Sequence, residues 1–259
     1  QKLLDFLQGM PALSDLAGKP NGGHRWIKGQ GFQPFFPQKA NNDKNYPKAK
    51  PNQWGLDSPF VRTDQSLEML LFKDDCISLG KRLEEIKASY EDLRRSPNSK
   101  IFKAPMVLVS HGFSKVAFCD FDVLFQSTLQ SIAGPKKDAA LLMFLTVYLR
   151  SKLSRYFLFH TSANWGSERD KVHLNELLRV PFPLPGSEFV SLEAESIIKL
   201  VADKFKALRI SLKNQLAPMK EKVDENLFPD EAQKQLLNAW RKERRVLSHR
   251  LQAECEPFI

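Results

Sequence analysis

The imidazole and thiol side chains are few and scattered: five histidines, at 24, 111, 160, 173 and 249, and three cysteines, at 76, 119 and 255. No two histidines stand in an HxH or HxxxH arrangement and no CxxC occurs, so no single turn or strand presents a pair of them to a metal. His111 with Cys119, or His160 with Asp170, are conceivable nucleophile or acid–base pairs, but nothing in their spacing enforces the hydrogen-bond reach that such chemistry needs. The richer chemistry is polar and cationic, and it falls in three loop-like stretches. Lys28, Gln30 and Gln33, beside His24 and Arg25, flank glycines that would let a phosphate approach the backbone closely. His111, Ser114 and Lys115, with Ser110, form a polar turn between two apolar runs. Asn164, Ser167, Arg169 and Lys171 form a third group, with Trp165 able to stack or wedge. Such side chains suit hydrogen bonding to base edges and neutralisation of phosphates. The plain alternatives are solvated turns, a Trp165 packed beneath its loop, and an Arg169 paired with Glu168 or Asp170.

Composition narrows the partners. Thirty-nine Lys and Arg against thirty Asp and Glu give a net charge of +9 over 259 residues, which favours a polyanionic partner. An apolar fraction of 42% with 19 phenylalanines is ample for a buried core. Three widely spaced cysteines make no disulfide framework and point to a reducing, cytoplasmic setting. The opening QKLLDFLQGMPALSDL lacks the order of a signal peptide and begins without Met, as expected of a fragment of something longer. The best membrane candidate, 139–159, is broken by Arg150, Lys152 and Arg155, so a soluble protein is expected.

Those loops need elements to hold them. Residues 18–60 are dense in Gly, Pro, Asn and Lys, with Lys39, Lys44, Lys48 and Lys50 in one largely acid-free stretch and a short strand pair expected over 24–36. A strand is expected over 67–72, and Leu83, Ile86, Tyr90 and Leu93 predict a helix of about three turns. APMVLVS and KVAFCDFDVLF predict a β-hairpin or meander around the polar turn. Leu142, Leu145, Leu149, Leu153 and Phe157 predict one long, mostly buried helix. Beyond 191, Ile198, Val201, Phe205, Leu208 and Leu212 form one helical stripe, and Leu236, Trp240, Leu247 and Leu251 a facing one. Pro218 is expected to interrupt the first of these helices, and Arg244 to leave a gap in the second stripe that a partner helix would fill. The fold class expected is α+β: a globular mixed α/β domain over 1–187, followed by an antiparallel helical hairpin over 188–259.

Three stretches resemble a known family: HRWIKGQGFQP at 24–34, the apolar run over 102–134, and the run over 141–185. Their order is similar to the target-recognition region of type I, type IIG and related adenine-N6 DNA methyltransferases. The helix LxxxLxSKLxxY of that family is matched by Leu145, Leu149, Ser151, Lys152, Leu153 and Tyr156. Its leucine-rich segment closing on Pro-x-Pro is matched by Leu174, Leu177, Leu178, Pro181 and Pro183. The resemblance implies sequence-specific recognition of double-stranded DNA, with the helices after 191 serving as a spacer. Full-length members carry an Asn/Asp-Pro-Pro-aromatic tetrapeptide that grips the target adenine, and none occurs in this chain. Nor is there a Gly-rich strand–helix loop for S-adenosylmethionine. A non-catalytic specificity part is therefore expected, binding no cofactor itself, with S-adenosylmethionine on a methyltransferase domain or subunit elsewhere. The rival expectation is a protein-interaction scaffold that uses the helical hairpin and has no nucleic-acid role.

Overall fold

The computed structural model describes residues 2–63, 67–113, 115–163, 172–182, 184, 192–224 and 230–259. Among them are ten strands: β1 (Ala17–Gly18), β2 (Trp26–Gln30), β3 (Gln33–Pro34), β4 (Lys50–Pro51), β5 (Pro59–Phe60), β6 (Ile77–Ser78), β7 (Asp92–Arg95), β8 (Met106–Ser110), β9 (Val116–Cys119) and β10 (Leu129–Ala133). The helices are α1 (Lys2–Gln8), α2 (Leu13–Leu16), α3 (Pro37–Asn42), α4 (Leu79–Glu85), α5 (Ala139–Arg150), α6 (Lys152–Thr161), α7 (Leu174–Leu177), α8 (Leu192–Asp224) and α9 (Asp230–Cys255). The fold class is α+β, as expected.

A five-stranded sheet in the order β1-β2-β10-β8-β9 organises the chain; only the β1–β2 pairing is parallel. Side chains alternate across a strand, and both faces are apolar. Val107, Val109, Val116, Phe118 and Ile132 face a core filled by α5 and α8, whereas Met106, Leu108, Ala117, Cys119 and Leu129 face a second core built by Phe32, Phe60, Leu83, Leu93 and Phe102. The hairpin β8–β9 is the one expected.

Other expectations change in instructive ways. β2 and β3 do not pair with each other: β2 enters the large sheet and β3 joins β7 and β4 in a small one. The stretch 67–72 is not a strand. Only Leu70 bridges the edge strand, at Phe118, and Phe118 N–H donates to Met69 O at 3.0 Å. Its side chains enter both cores, Met69 and Leu70 one and Leu71 the other, so packing rather than a ladder fixes it. The expected three-turn helix ends early, because Lys87 takes φ 53° and redirects the chain into β7. Leu83 and Leu93 still meet in one core, their spacing serving a helix, a turn and a strand.

The long central helix is two. Ser151 accepts from Ser154 N–H at 3.2 Å, an N-cap that ends α5 and starts α6. α8 runs through Pro218 to Asp224, the missing proline N–H not sufficing to end it. Along α8 Val201, Phe205 and Leu212 are buried, and along α9 Trp240 and Leu251. Arg244 leaves no gap for a partner helix: its side chain is buried within this chain and paired with Asp75. Among the described residues no helix is long and apolar enough to cross a membrane.

Candidate nucleic-acid interface

The register of the large sheet sets Gln30 of β2 directly opposite Gln130 of β10, so the two amides share one face at one end of the sheet. That end is also where β8 stops, and His111 follows it. The His111 backbone ties the end together, its N–H donating to Thr128 O at 3.2 Å and its carbonyl accepting from Val172 N–H at 2.7 Å. Val172 leads into α7, which begins after His173. Gln30, His111, Gln130, His173, Leu174 and Asn175 consequently line one pocket of about 270 Å³.

Hydrogen-bond roles in this pocket follow from what each partner can do. Arg95 has only donors, and its Nη1 lies 3.0 Å from one end of the Gln30 amide, which is therefore the carbonyl oxygen. The Gln30 amide nitrogen then donates to Ser127 O at 2.8 Å and to His111 Nε2 at 2.8 Å. His111 Nε2 is thereby an acceptor, and its proton resides on Nδ1. Arg95 also donates to Gly31 O at 2.6 Å, and burial foremost, with neighbouring Arg94, pulls its pKa below the ordinary value. Gln130 donates to Val172 O at 2.9 Å, while its buried Oε1 has no partner. One idle amide acceptor in the wall of a polar pocket is suited to an N–H donor such as an exocyclic base amine.

Lys28 stands on the same face two residues before Gln30, with its Nζ 3.2 Å from Asn175 Oδ1. Burial foremost, and then Lys19, lower its pKa. A half-buried ammonium beside another cation is relieved by an approaching anion.

No family model and no curated protein matches the chain.

Of the residues expected to meet DNA, the structure gathers Lys28, Gln30 and His111. Gln33 pairs through its backbone with Arg95 in the small sheet, beside the pocket rather than in it. Lys115 closes the β8–β9 turn, its N–H donating to Ser110 Oγ at 3.1 Å. Ser114, Asn164, Trp165, Ser167, Arg169 and Lys171 lie outside the described residues. The glycines of this stretch do not offer room to a phosphate. A Cβ at Gly29 would meet Ile101 at 2.5 Å, and one at Gly31 would meet Phe125 O at 2.2 Å, so this chain's own atoms occupy the space. His24 packs over Gly18, and Arg25 spends its charge on Asp138.

Four residues that sequence reasoning missed complete the site: Arg95, Gln130, His173 and Asn175. Gln130 carries a legible signal, a large polar side chain within the apolar strand LQSIA. The imagined His111–Cys119 pair is not formed. Cys119 stands opposite Met106, a full strand length from His111, and donates its thiol to Phe121 O at 3.0 Å. His160 is exposed on α6, and Asp170 lies outside the described residues. Among the described residues no group of three or more His, Cys, Asp or Glu side chains could hold a metal ion.

Proposed function

We propose that this chain is the specificity part of an adenine-N6 DNA methyltransferase or restriction–modification enzyme, reading double-stranded DNA without a methyl-transfer site of its own. The observation that carries this reading is convergence. Segments around 28–30 and 111, singled out separately by residue type, meet at one end of the sheet in a pocket whose polar groups are two glutamines, an asparagine and two histidines. Amides are the side chains that read adenine edges with paired hydrogen bonds, and Lys28 at the margin supplies the cation for a phosphate. S-adenosylmethionine and the transfer step belong to a catalytic domain or subunit, and base flipping occurs there. The scaffold reading draws on Leu200, Ile210 and Val246, which stay exposed on the helical hairpin.

The test is fluorescence anisotropy with a mixed-sequence duplex across salt concentrations, followed by selection from random duplexes. The wild type is expected to bind with a steep salt dependence. Lys28→Ala should weaken binding to all sequences alike and flatten the log–log salt slope by about 0.9. Gln130→Ala, which removes the idle amide acceptor, should relax the preference at one base position, at a cost of about 1–3 kcal/mol for the preferred site. Absence of duplex binding at low salt would reject the reading and favour the scaffold.

A further inference from the structure

A second concave surface lies between α9 and residues 62–77, a groove of about 600 Å³. The α9 wall consists of Asn238, Arg241, Lys242 and Arg245, at the three- and four-residue spacing that places side chains on one helical face. Five cations and three carboxylates line the groove. Two of the carboxylates are answered within it, Glu68 by Arg245 at 2.7 Å and Asp75 by Arg244 at 2.5 Å. Arg62 reaches outward to Glu85. Arg241 and Lys242 are exposed and carry no ion pair among the described residues.

Arg244 forms the floor. Its guanidinium is fully buried, 4.6 Å from the Trp240 ring, and Nη1 serves both Asp75 and Leu70 O. Nε and Nη2 are buried without a partner. With the Arg244 charge met by Asp75, Arg241 and Lys242 are the cations that the groove leaves open to an anion.

The groove and the pocket already described are connected through the chain's own contacts. Arg62 is followed by Thr63, whose hydroxyl lies 2.8 Å from that of Thr128, and Thr128 O accepts from His111 N–H. One threonine pair thus links Arg62 of the groove to His111 of the pocket.

We infer that the groove holds backbone phosphates of the duplex whose bases are presented to the pocket, with Arg241 and Lys242 as the contacting cations and the buried Arg244–Asp75 pair holding α9 in place beneath them. This rests on the DNA reading above. It makes the basic face of α9 part of the DNA surface, so that the hairpin contributes affinity as well as spacing.

The experiment compares the full chain with an Arg241→Gln, Lys242→Gln double variant and with Lys28→Ala, by duplex anisotropy over 50–200 mM salt. Both α9 positions are exposed, so the double variant should keep the wild-type circular dichroism and melting temperature. Losing two phosphate contacts should flatten the log–log slope by about 1.8 and leave the selected sequence unchanged. If the double variant keeps the wild-type slope and affinity while Lys28→Ala weakens binding, the groove proposal fails and the recognition reading stands. If the wild type binds no duplex at all, both fail.

Discussion

Asp138 shows how one carboxylate sets the position of β2. It accepts from Arg25 Nε at 2.6 Å and from Trp26 Nε1 at 2.8 Å, pinning the start of β2 to the residue that opens α5. Burial pushes its pKa up, but the hydrogen bonds from Arg25 and Trp26 outweigh this and leave it below the ordinary 3.8. A carboxylate with a depressed folded pKa binds fewer protons folded than unfolded. Its contribution to stability is therefore complete above about pH 4 and is lost as the pH falls through the depressed value. Asp138→Asn should be less stable than wild type at pH 7 in urea titrations, and the gap should close progressively below pH 4. A gap that stays constant to pH 2 would show that ionisation of Asp138 contributes nothing. Because Lys28 and Gln30 follow Trp26 at two-residue steps on the same face of β2, the same variant should also loosen the pocket, visible as weaker duplex binding at neutral pH.

At the level of elements, the site depends on a close crossing. β2 ends where Gly31 passes the backbone of Phe125 and Gln126, and a Cβ there would lie 2.2 Å and 2.5 Å from their carbonyl oxygens. Backbone cannot give way as a side-chain end can, so Gly31→Ala should destabilise by at least the 1–3 kcal/mol typical of overpacking, measured as a lowered denaturation midpoint. Since Gly31 O also anchors Arg95, and Arg95 the Gln30 amide, duplex binding should fall as well. What the sequence made legible follows from which forces are local. The hairpin β8–β9, the buried faces of α8 and α9, and the polar character of Lys28, Gln30 and His111 all follow from period, turn chemistry and residue type. The break at Ser151 was hidden by apolar spacing that continues from Leu149 to Leu153 and Phe157; the extended backbone of Ser151, at ψ 161°, and the hydrogen bond its hydroxyl accepts from Ser154 N–H make two helices of one. The partners of Gln30 were out of reach for another reason. Gln130 lies 100 positions further along the chain and faces Gln30 only because two antiparallel ladders set that register. Arg95 lies just past the helical spacing that runs from Leu83 to Leu93, and its place in β7 depends on Lys87 leaving the helical region.

Across the whole molecule, the α8–α9 hairpin is bound to the sheet by packing and by charge together. Phe205 packs edge-on to Phe118 at 5.6 Å, Arg209 holds Asp120 and donates to Leu71 O at 2.8 Å, and Gln252 donates to Val147 O at 3.1 Å. The deepest of these ties is Arg244 with Asp75, both side chains essentially without exposure. A buried pair of this kind costs desolvation on both members, so its presence adds little net stability, whereas removing one member strands the other charge. Two substitutions should then behave very differently. Asp75→Asn removes the countercharge and leaves the Arg244 guanidinium buried beside two aromatic rings, at an expected cost of about 3–5 kcal/mol. Arg244→Met removes the charge and keeps much of the volume, but it leaves the Asp75 carboxylate, which still accepts from Phe72 N–H at 2.9 Å; its cost should be the smaller of the two. The double variant Asp75→Asn, Arg244→Met should recover most of the loss, and the coupling is the double-mutant cycle from urea midpoints. If the hairpin folds as one unit with the sheet, tryptophan fluorescence, to which Trp240 at the α9 interface contributes beside the chain's three other tryptophans, and far-ultraviolet circular dichroism should unfold together in wild type. Separate transitions, with fluorescence lost first in Asp75→Asn, would instead mean that the hairpin detaches before the sheet unfolds.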